Sequence, residues 1–502
     1  MRAMTIAGAL RFFEGSTRLP ARWRGRAAPV RRLLAMLGEL HRAGTGSEVV
    51  IGFVPGRVEV LGRHTDYAGG RSLVCAIDRG FLFAASARPD RTVRMREDSR
   101  EFGETSFPLS PSLRPDQGHW TSYPMTMARR LAANFGREGR GAAASRGAGV
   151  RRGDGVLRGA GMRAGDGVLR GADVAFCSSL PVGSGMSGSS AFMMTAFTAL
   201  AEVNGLWAHP AFRANIADPV ELAGYLACAE NGQGFHGLSG DGGVGTFGGS
   251  EDHAAILCGR AGTLSLFRFS PMGLEEEVRW PRDWRLEVAF SGVRAEKTRE
   301  ALEKYNMVSR RARAAVERYN ERFTTRHANL GEAVAAGARP KDWRGLEGGT
   351  VPGLADRVRQ FLAEERRVIP GALRALRAAD IDGFGRELNA SHRASARFLG
   401  NIVTEIDDLQ ASAIALGARG ASGFGAGFGG SILTAVRSPE ARGFLQGWRS
   451  RYVACHPGRS VEAAFFSAVP GPGIELWTGA GPQRLVDRVF GGDDQGGAVG
   501  PG

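Results

Sequence analysis

The sequence predicts an α+β protein with two domains, and three observations support this prediction. The chain has 502 residues, which is too long for one ordinary hydrophobic core. Hydrophobic residues make up 43% of it and charged residues 23%, so we expect most of the chain to fold. Strand patterns at 48–62, 72–87 and 432–436 occur apart from helical apolar spacing at 294–323 and 354–415. Strands and helices that cluster separately are typical of the α+β class.

The elements that carry chemistry follow one another in a simple order. Residues 48–62 contain two β-rich stretches joined at Pro55-Gly56, and residues 72–87 continue as strand. Residues 173–205 change from a strand pattern to a Gly/Ser loop and then to a helix. A loop placed between a strand and a helix is where a phosphate group can bind, so this order points to a ligand site.

The basic charge of the chain is concentrated in one unusual segment. The formal net charge is +14, and residues 137–170 contain eight arginines against three acidic residues. The sequence GDGVLRGA occurs there twice, at 153–160 and 165–172. The glycine content and low complexity predict a flexible surface insertion at about 137–171. Since no RNA-binding motif accompanies the charge, we expect no nucleic-acid partner.

The chain carries no sign of membrane insertion or secretion. Its longest strongly apolar stretch, residues 191–201, is shorter than the roughly 18 residues that a membrane span needs. The first residues lack a signal-peptide pattern, so we expect a cytoplasmic protein without a membrane partner. The cysteines are far apart and predict buried free thiols; they are Cys75, Cys177, Cys228, Cys258 and Cys455.

A Gly/Ser loop at 181–191 predicts a phosphate site. Glycine lets the backbone approach a phosphate closely, and the first amides of the following helix direct unpaired N–H groups at an anion. The loop lacks the endings of a Walker or dinucleotide motif, and a plain connection is the alternative. The candidate phosphate-binding residues are Pro181, Gly183, Ser184, Gly185, Ser187, Gly188, Ser189 and Ser190.

Two further clusters accompany this loop. Residues 420–436 place six glycines ahead of a strand, which fits either a turn against a ligand or a flexible loop. Residues 55–70 combine charged and aromatic side chains with turn residues, and surface salt bridges are the alternative interpretation. The three clusters together are more specific than any one of them.

In this order the three clusters resemble the signature motifs of GHMP kinases. The sequence HTDYAGG at 64–70 resembles the sugar-binding signature of galactokinases in particular. The resemblance extends from about residue 50 to residue 436, apart from the insertion. Other galactokinase-like stretches are WTSYP at 120–124, AEN at 229–231, EKYNMVSRRA at 303–312 and ASHRASARFLGNIVTEIDDL at 390–409.

The resemblance implies a two-domain fold in which nucleotide and sugar meet in the cleft between the domains. It implies an N-terminal domain at 1–282 and a C-terminal domain at 283–480, and we expect a disordered tail at 481–502. The implied activity is ATP-dependent phosphorylation of a monosaccharide, galactose or a related sugar, at its C1 hydroxyl, with Mg²⁺. Sugar and ATP are then the small-molecule partners, and a monomer or a dimer remains open.

The resemblance also implies roles for individual residues. Asp252 aligns with the catalytic base and Arg57 with the arginine of the first motif. Ser189 and Glu230 match the positions that hold Mg²⁺, whose preferred ligands are hard oxygens. The residues assigned to the sugar are Arg63, His64, Asp66, Tyr305, Gly427 and Gly429. Without the motif, an aspartate in a turn can be a cap and a tyrosine can be core.

Some positions depart from the galactokinase pattern. Arg63 stands where the family has a glutamate that contacts the sugar, and Glu59 replaces an asparagine. A uronic acid would pair with Arg63, whereas a pentose or heptose would need only a different shape. Alternatively, Arg63 turns toward Glu59 or Asp78 and leaves the pocket unchanged.

Other departures concern the reaction itself. Gly188 replaces a serine, and Glu251 and His253 flank Asp252 in place of methionine and glutamine. A glycine-rich extension of roughly ten residues precedes Asp252 and puts the assignment of Glu230 in doubt. The alternative function is a galactokinase-like regulator that binds sugar and ATP without efficient catalysis.

Overall fold

The computed structural model describes residues 4–15, 19–41, 46–99, 102–116, 118–136, 169–246, 248–294, 299–345 and 351–491. The chain forms two β-sheets with separate layers of helices, so the α+β prediction is confirmed. Most of the predicted insertion, residues 137–168, lies outside the described residues.

The strands belong to a large sheet and a small one. In the described part of the chain they are β1 (Val50–Leu61), β2 (Arg71–Ala87), β3 (Thr92–Glu97), β4 (Glu104–Pro108), β5 (Ala172–Ser178), β6 (Thr263–Phe269), β7 (Met272–Arg279), β8 (Trp284–Phe290), β9 (Ala421–Phe424), β10 (Ser431–Arg437), β11 (Ala464–Ala468), β12 (Glu475–Thr478) and β13 (Gly481–Arg484). The large sheet has the order β13-β12-β1-β2-β5-β3-β4, and β6 pairs with both β2 and β7. The small sheet has the order β11-β8-β10-β9.

The helices form layers on these sheets. Over the same residues they are α1 (Ile6–Gly15), α2 (Ala21–Arg24), α3 (Ala27–Leu40), α4 (Ser122–Phe135), α5 (Gly188–Val203), α6 (Pro210–Arg213), α7 (Pro219–Asn231), α8 (Glu251–Cys258), α9 (Arg299–Phe323), α10 (Leu330–Ala335), α11 (Leu354–Ala363), α12 (Ile369–Arg377), α13 (Ile381–Ala394), α14 (Thr404–Ala415), α15 (Ala441–Cys455) and α16 (Leu485–Phe490). None of these helices is long and apolar enough to cross a membrane.

Strands β1 and β2 form the centre of the large sheet and are buried on both faces. Successive side chains of a strand point to opposite faces. Ile51 and Phe53 pack against α1 and α3, whereas Val54 packs into the cluster that includes α5 and α8. This double cover explains the nearly continuous apolar sequence of β1. The two β-rich stretches predicted at 48–62 form one strand with an irregular register between Pro55 and Arg57.

The small sheet is the core of the second lobe, which we define as residues 284–468. Helices α12 and α13 pack with β8 and β10 on one side, and α14 and α15 cover the other side. Helices α9, α10 and α11 form a separate apolar cluster that includes Ala68. Each large apolar side chain buried in these clusters contributes about 1.5–3 kcal/mol to folding.

The end of the chain returns to the large sheet, which differs from the predicted domain boundary at 480 and the predicted disordered tail. Strand β12 pairs with β1, β13 pairs with β12, and α16 buries Leu485 and Val486. Apolar residues at these positions supply the burial that a tail would lack. Only residues 492–502 of the predicted tail lie outside the described residues.

The five cysteines are free thiols, as the sequence predicts. The expectation that all of them are buried is wrong. Cys75 is buried, whereas Cys455 is exposed near the end of α15 and the other three are partly exposed. The isolated positions of the cysteines in the sequence indicate that they are unpaired, but the exposure of each thiol depends on which face of its strand or helix it occupies.

Candidate active site

The Gly/Ser loop connects β5 to α5, as the sequence predicts, and lines a cavity of about 750 Å³ between the two lobes. All eight candidate phosphate-binding residues contribute to the wall of this cavity. Gly183 and Gly185 have φ angles of +70° and +76°, and Ser187 has a φ of +57° just before α5 begins. These left-handed residues turn the chain so that the first amides of α5 lie at the cavity.

Contacts from both lobes hold the loop. Ser431 on β10 donates a hydrogen bond from Oγ to the carbonyl oxygen of Ser184 at 2.7 Å. Arg57 on β1 donates from Nη1 to the carbonyl oxygen of Gly185 at 2.6 Å. The space beside Gly185 is also occupied by Gly425, where a Cβ atom would lie 2.6 Å from the Gly185 oxygen. The loop therefore has one defined conformation.

Asp252 and Arg57 meet at the cavity wall. Asp252 is the second residue of α8, and its Oδ1 accepts a hydrogen bond of 2.8 Å from Arg57 Nε. The Arg57 side chain is 7% exposed, whereas that of Asp252 is 31% exposed, so the carboxylate is the partner that faces the cavity. Burial alone would lower the pKa of Arg57, but Asp252, Glu251 and Glu59 raise it above its usual value.

A serine and a glutamate lie beside this pair. Ser190 Oγ donates to Glu230 Oε2 at 2.8 Å and lies 3.4 Å from Asp252 Oδ2. The resemblance assigned Ser189 to the metal; the side chain that contacts Glu230 is that of Ser190, while Ser189 lines the same cavity. His253 Nε2 lies 3.1 Å from Glu230 Oε2. These oxygen atoms suit Mg²⁺, which binds through one or two protein oxygens together with phosphate and water.

The described residues contain no cluster of three or more His, Cys, Asp or Glu side chains suited to hold a metal by themselves. A site with two protein ligands is consistent with this finding, because Mg²⁺ in phosphoryl-transfer enzymes is held largely by the substrate phosphates. Ser189, Ser190 and Glu230 place side-chain oxygen atoms of this kind on the same cavity wall.

The glycine-rich extension before Asp252 does not displace Glu230 from the cavity wall. Its middle section packs on α4, where Arg129 Nε donates to Asp241 Oδ2 at 2.9 Å and Asn134 Nδ2 donates to the Ser239 oxygen at 3.1 Å. Its end returns to α7 through the Gly248 amide, which donates to Asn231 at 2.9 Å. The extra residues thus lie against α4, and Glu230 and Asp252 remain on the same cavity wall.

His64, Asp66, Tyr67 and Tyr305 line one end of the cavity, which we call the sugar end. The ring centroids of His64 and Tyr305 are 5.6 Å apart. Both ring nitrogens of His64 have partners, the Tyr67 hydroxyl at 2.8 Å and the Ala426 oxygen at 3.1 Å. Burial and the charges of Arg357 and Arg63 lower the pKa of His64 to about 3, so the ring is neutral.

Asp66 presents its carboxylate beside the segment that leads to α8. A Cβ atom on Gly249 would lie 2.1 Å from Asp66 Oδ2, so this approach requires glycine. Burial raises the pKa of Asp66, although the backbone amides of Tyr67 and Glu251 oppose the shift. The structure therefore brings the predicted residues His64, Asp66 and Tyr305 together with Asp252.

Arg63 does not lie where the uronic acid hypothesis requires it. Its side chain is 3% exposed, and Nε lies 3.8 Å from Glu59 Oε1. The guanidinium packs behind the cavity against the position of Gly423 on β9, where a Cβ atom would lie 2.9 Å from Nη2. The described residues that line the cavity include Glu59 and exclude Arg63. The alternative in which Arg63 turns toward Glu59 is thus the observed one.

The second glycine cluster forms a turn at the cavity between β9 and β10. Gly427 lines the cavity with a φ of +78°, and a Cβ atom there would lie 2.6 Å from Asn401. Gly429 has a φ of +132° and packs against Val293 instead. Of the two glycines assigned to the sugar, the structure places only Gly427 among the described lining residues.

The opposite end of the cavity is aromatic and was not assigned from the sequence. The rings of Phe81 and Phe192 stack with centroids 5.3 Å apart, and Trp120 lies 5.7 Å from Phe192 and 6.4 Å from Phe176. Trp120 belongs to the galactokinase-like stretch WTSYP, which is the feature of the sequence that points to this end of the cavity. Phe81, Phe176 and Phe192 could not be distinguished from core residues of their strands and helix.

Family comparisons match three parts of this chain. The galactokinase galactose-binding signature matches residues 39–87, the GHMP kinase N-terminal domain matches residues 155–236, and the GHMP kinase C-terminal domain matches residues 372–454. The first match contains Arg57 and the sugar-end residues of β1 and the following turn. The second contains the Gly/Ser loop and Glu230.

The curated relatives that match this chain are galactokinases, and each match covers most of both chains. The galactokinase of Enterococcus faecalis is 25% identical over 78% of this chain and 87% of its own. That of Halalkalibacterium halodurans is 24% identical over 89% of this chain and 98% of its own. That of Chloroflexus aggregans is 28% identical over 83% of this chain and 91% of its own.

Solved structures share the fold. The galactokinase of Lactococcus lactis, solved in complex with galactose, superimposes with a TM-score of 0.66 at 23% identity and covers 88% of this chain and 99% of its own. The Lin0012 protein of Listeria innocua superimposes with a TM-score of 0.51 at 11% identity, covering 86% of this chain and 100% of its own. At such identities the likeness concerns the fold.

Proposed function

Since this chain is a galactokinase-like member of the GHMP kinase superfamily, we propose that it transfers the γ-phosphoryl group of ATP to the C1 hydroxyl of a monosaccharide, galactose or a related sugar. The observation that carries the proposal is the pairing of Asp252 with Arg57 beside the start of α5. A carboxylate and the first amides of a helix line one cavity there, which are the groups that a general base and a phosphate site require.

Asp252 is the proposed general base. Its carboxylate accepts the proton of the sugar hydroxyl while the hydroxyl oxygen attacks the γ-phosphorus and the bond to the β-phosphate oxygen breaks. Arg57 holds the carboxylate by its hydrogen bond from Nε and keeps it ionised. The products are the sugar phosphate and ADP.

The remaining parts of the cavity bind the two substrates. The amides at the start of α5 and the Gly/Ser loop receive the phosphates, and the aromatic end with Trp120 offers stacking surfaces for the base of the nucleotide. Ser190 and Glu230 would hold Mg²⁺, which neutralises phosphate charge during transfer. Asp66 and Tyr305 are proposed to orient the sugar.

The direct test is incubation with Mg-ATP and single sugars, with ADP release as the rate measurement and NMR of the product to identify the phosphorylated carbon. We expect turnover of galactose or a related sugar and a phosphate on C1. Asp252→Asn should lower kcat by about 10²–10⁴-fold, the range of a lost general base. Asp382→Asn is the matched control, because Asp382 is 65% exposed and pairs with Arg419 on the surface.

The contrary outcomes identify the alternative function. Binding of sugar and ATP without ADP release would favour the regulator. Equal rates for Asp252→Asn and the wild type would remove Asp252 from the reaction. Phosphate on another carbon would leave the kinase activity but refute the C1 assignment.

A further inference from the structure

The sugar end of the cavity carries more negative than positive charge. Glu59, Asp66 and Asp252 all line the cavity, and the charges of Asp66 and Asp252 both act on Glu59. Arg57 is the only arginine or lysine among the described lining residues. Its guanidinium is already engaged, since Nε donates to Asp252 and Nη1 donates to the Gly185 oxygen. A ligand carboxylate would therefore meet like charges without a free cation.

The neutral groups at this end do not restore the balance. Both nitrogens of the uncharged His64 ring have partners, and the hydroxyl of Tyr67 is one of them. Tyr305 lies over the same ring and contributes a hydroxyl. The polar surface that remains at this end consists chiefly of carboxylate oxygens, which accept hydrogen bonds and donate none when ionised.

Glu59 is the carboxylate that sets this chain apart from the galactokinase pattern. It replaces an asparagine, and the side chain is 6% exposed, with its exposed part on the cavity. Nε of its cationic neighbour Arg63 lies 3.8 Å from Glu59 Oε1, beyond hydrogen-bond distance, and has no hydrogen-bond partner among the described residues. The Glu59 carboxylate is therefore attracted by Arg63 from behind without being capped by it.

The state of Glu59 points the same way. Burial raises the pKa of Glu59, while Arg57 and Arg63 oppose this shift and Asp66 and Asp252 add to it. Arg57, the cation on the described cavity wall, is already hydrogen-bonded to Asp252 and to the Gly185 oxygen, so a further positive charge on the cavity side would stabilise the buried Glu59 carboxylate. An ammonium group on a ligand would supply that charge and hydrogen-bond donors together.

We infer that the sugar end selects a monosaccharide bearing a protonated amine, which Glu59 and Asp66 bind, and that it rejects uronic acids. This inference rests on the proposed function for its ligand class, because it concerns the acceptor sugar of the same reaction. Glu59 is the specificity-determining residue. The neutral hydroxyls of galactose can donate hydrogen bonds to the same carboxylates. In each such bond only the acceptor is charged, whereas an ammonium group would make the donor charged as well.

The test compares sugars that differ in one substituent. Binding to the whole protein is measured by calorimetry in the presence of Mg-ADP, with galactose, galactosamine, 6-amino-6-deoxygalactose, N-acetylgalactosamine and galacturonate. We expect one of the two amino sugars to bind about ten-fold or more tightly than galactose, a difference of about 1.4 kcal/mol. N-Acetylgalactosamine, which lacks the charge, and galacturonate should bind more weakly than that amino sugar.

The variant Glu59→Gln keeps the shape and removes the charge. It should reduce the preference for the amino sugar over galactose to about three-fold or less. Glu59→Asn, which restores the galactokinase residue, is the second variant if the first does not fold. The comparison of galactosamine with N-acetylgalactosamine on the wild type needs no variant.

The inference is overturned if neither amino sugar binds more tightly than galactose, if galacturonate binds as tightly, or if the preference survives in a folded Glu59 variant. These failures differ from failure of the proposed function. Glu59-dependent binding of an amino sugar without ADP release would refute the kinase and keep the inference. Turnover of galactose without an amino-sugar preference would do the reverse.

Discussion

Arg57 Nε and Asp252 Oδ1 lie 2.8 Å apart, although 195 positions separate the two residues in the chain. The contact joins the centre of the large sheet to the start of α8. Because Arg57 also donates to the Gly185 oxygen, one guanidinium fixes the proposed base relative to the phosphate loop.

Arg57→Lys should therefore impair catalysis more than binding. A lysine keeps the charge but is a point donor that cannot hold Asp252 and the Gly185 oxygen in one planar fork. We expect kcat to fall by about 10²-fold, with the KM for ATP changed by about three-fold or less. Initial-rate kinetics with Asp382→Asn as the control would check this, and an unaltered kcat would show that charge alone suffices.

Gly427→Ala should weaken both folding and sugar binding. The residue has a φ of +78°, and a Cβ atom would lie 2.6 Å from Asn401, whose Nδ2 lies 3.3 Å from His64 Nε2. A left-handed non-glycine residue costs about 1–2 kcal/mol before the steric contact is added. We expect a lower melting temperature and a higher KM for the sugar than for the wild type.

Gly443→Ala is the matched control for this substitution. Gly443 lies within α15, and apart from its chain neighbours and the backbone of its own helix, no atom of the described residues lies within 4 Å of the position of its Cβ atom. Alanine there should stabilise the helix by up to about 1 kcal/mol. Equal melting temperatures for the two variants would contradict the steric account of Gly427.

The burial of His64 predicts a dependence of stability on pH. Its pKa is about 3 in the folded chain and 6.5 in the unfolded chain, so the unfolded state binds the proton first as the pH falls. The free energy of unfolding should fall from about pH 6.5 downward, by up to about 1.4 kcal/mol per pH unit, and this loss should end near pH 3.

His64→Asn isolates this contribution, because asparagine tolerates the left-handed backbone better than most residues and does not titrate there. Urea unfolding of both proteins between pH 5 and 7.5 would give the difference in how their free energies of unfolding depend on pH. The variant should show a shallower decline toward pH 5. Parallel stability curves would show that His64 is protonated in the folded state or contributes nothing.

The flexibility of the insertion remains a prediction. Residues 169 and 170, which the structure describes, determine where a replacement should end. Replacing residues 138–168 with a short Gly/Ser linker should leave activity and melting temperature nearly unchanged, as its composition suggests. Extending the replacement to residue 170 should lower the melting temperature. Leu169 is only 8% exposed, and the Arg170 amide donates to Asn204 Oδ1 at 2.7 Å.

A buried leucine and a hydrogen bond of this kind contribute about 1.5–3 and 1 kcal/mol, respectively. Differential scanning calorimetry on the two replacements therefore measures where the insertion ends. A large loss of activity with the shorter replacement would mean that residues 138–168 serve the site.

The fold class and the loops could be predicted because they depend on local patterns. Glycine and serine before an apolar helix predict the loop between β5 and α5 wherever the rest of the chain lies. The direction of Arg63 could not be predicted, because it depends on the space that Gly423 leaves on β9. The return of β12 to the large sheet depends likewise on Glu475, which accepts hydrogen bonds from Arg22 and Trp23 near the other end of the chain.

The Gly/Ser loop is held by hydrogen bonds from Ser431 in one lobe and from Arg57 in the other. A loop fixed in this way loses little conformational entropy when a nucleotide docks, so more of the contact energy remains as affinity. It also ties the lobes together across the cavity floor. Opening the lobes widely would break the hydrogen bond between Ser431 and Ser184, and product release should therefore proceed mainly through motion at the rim of the cavity.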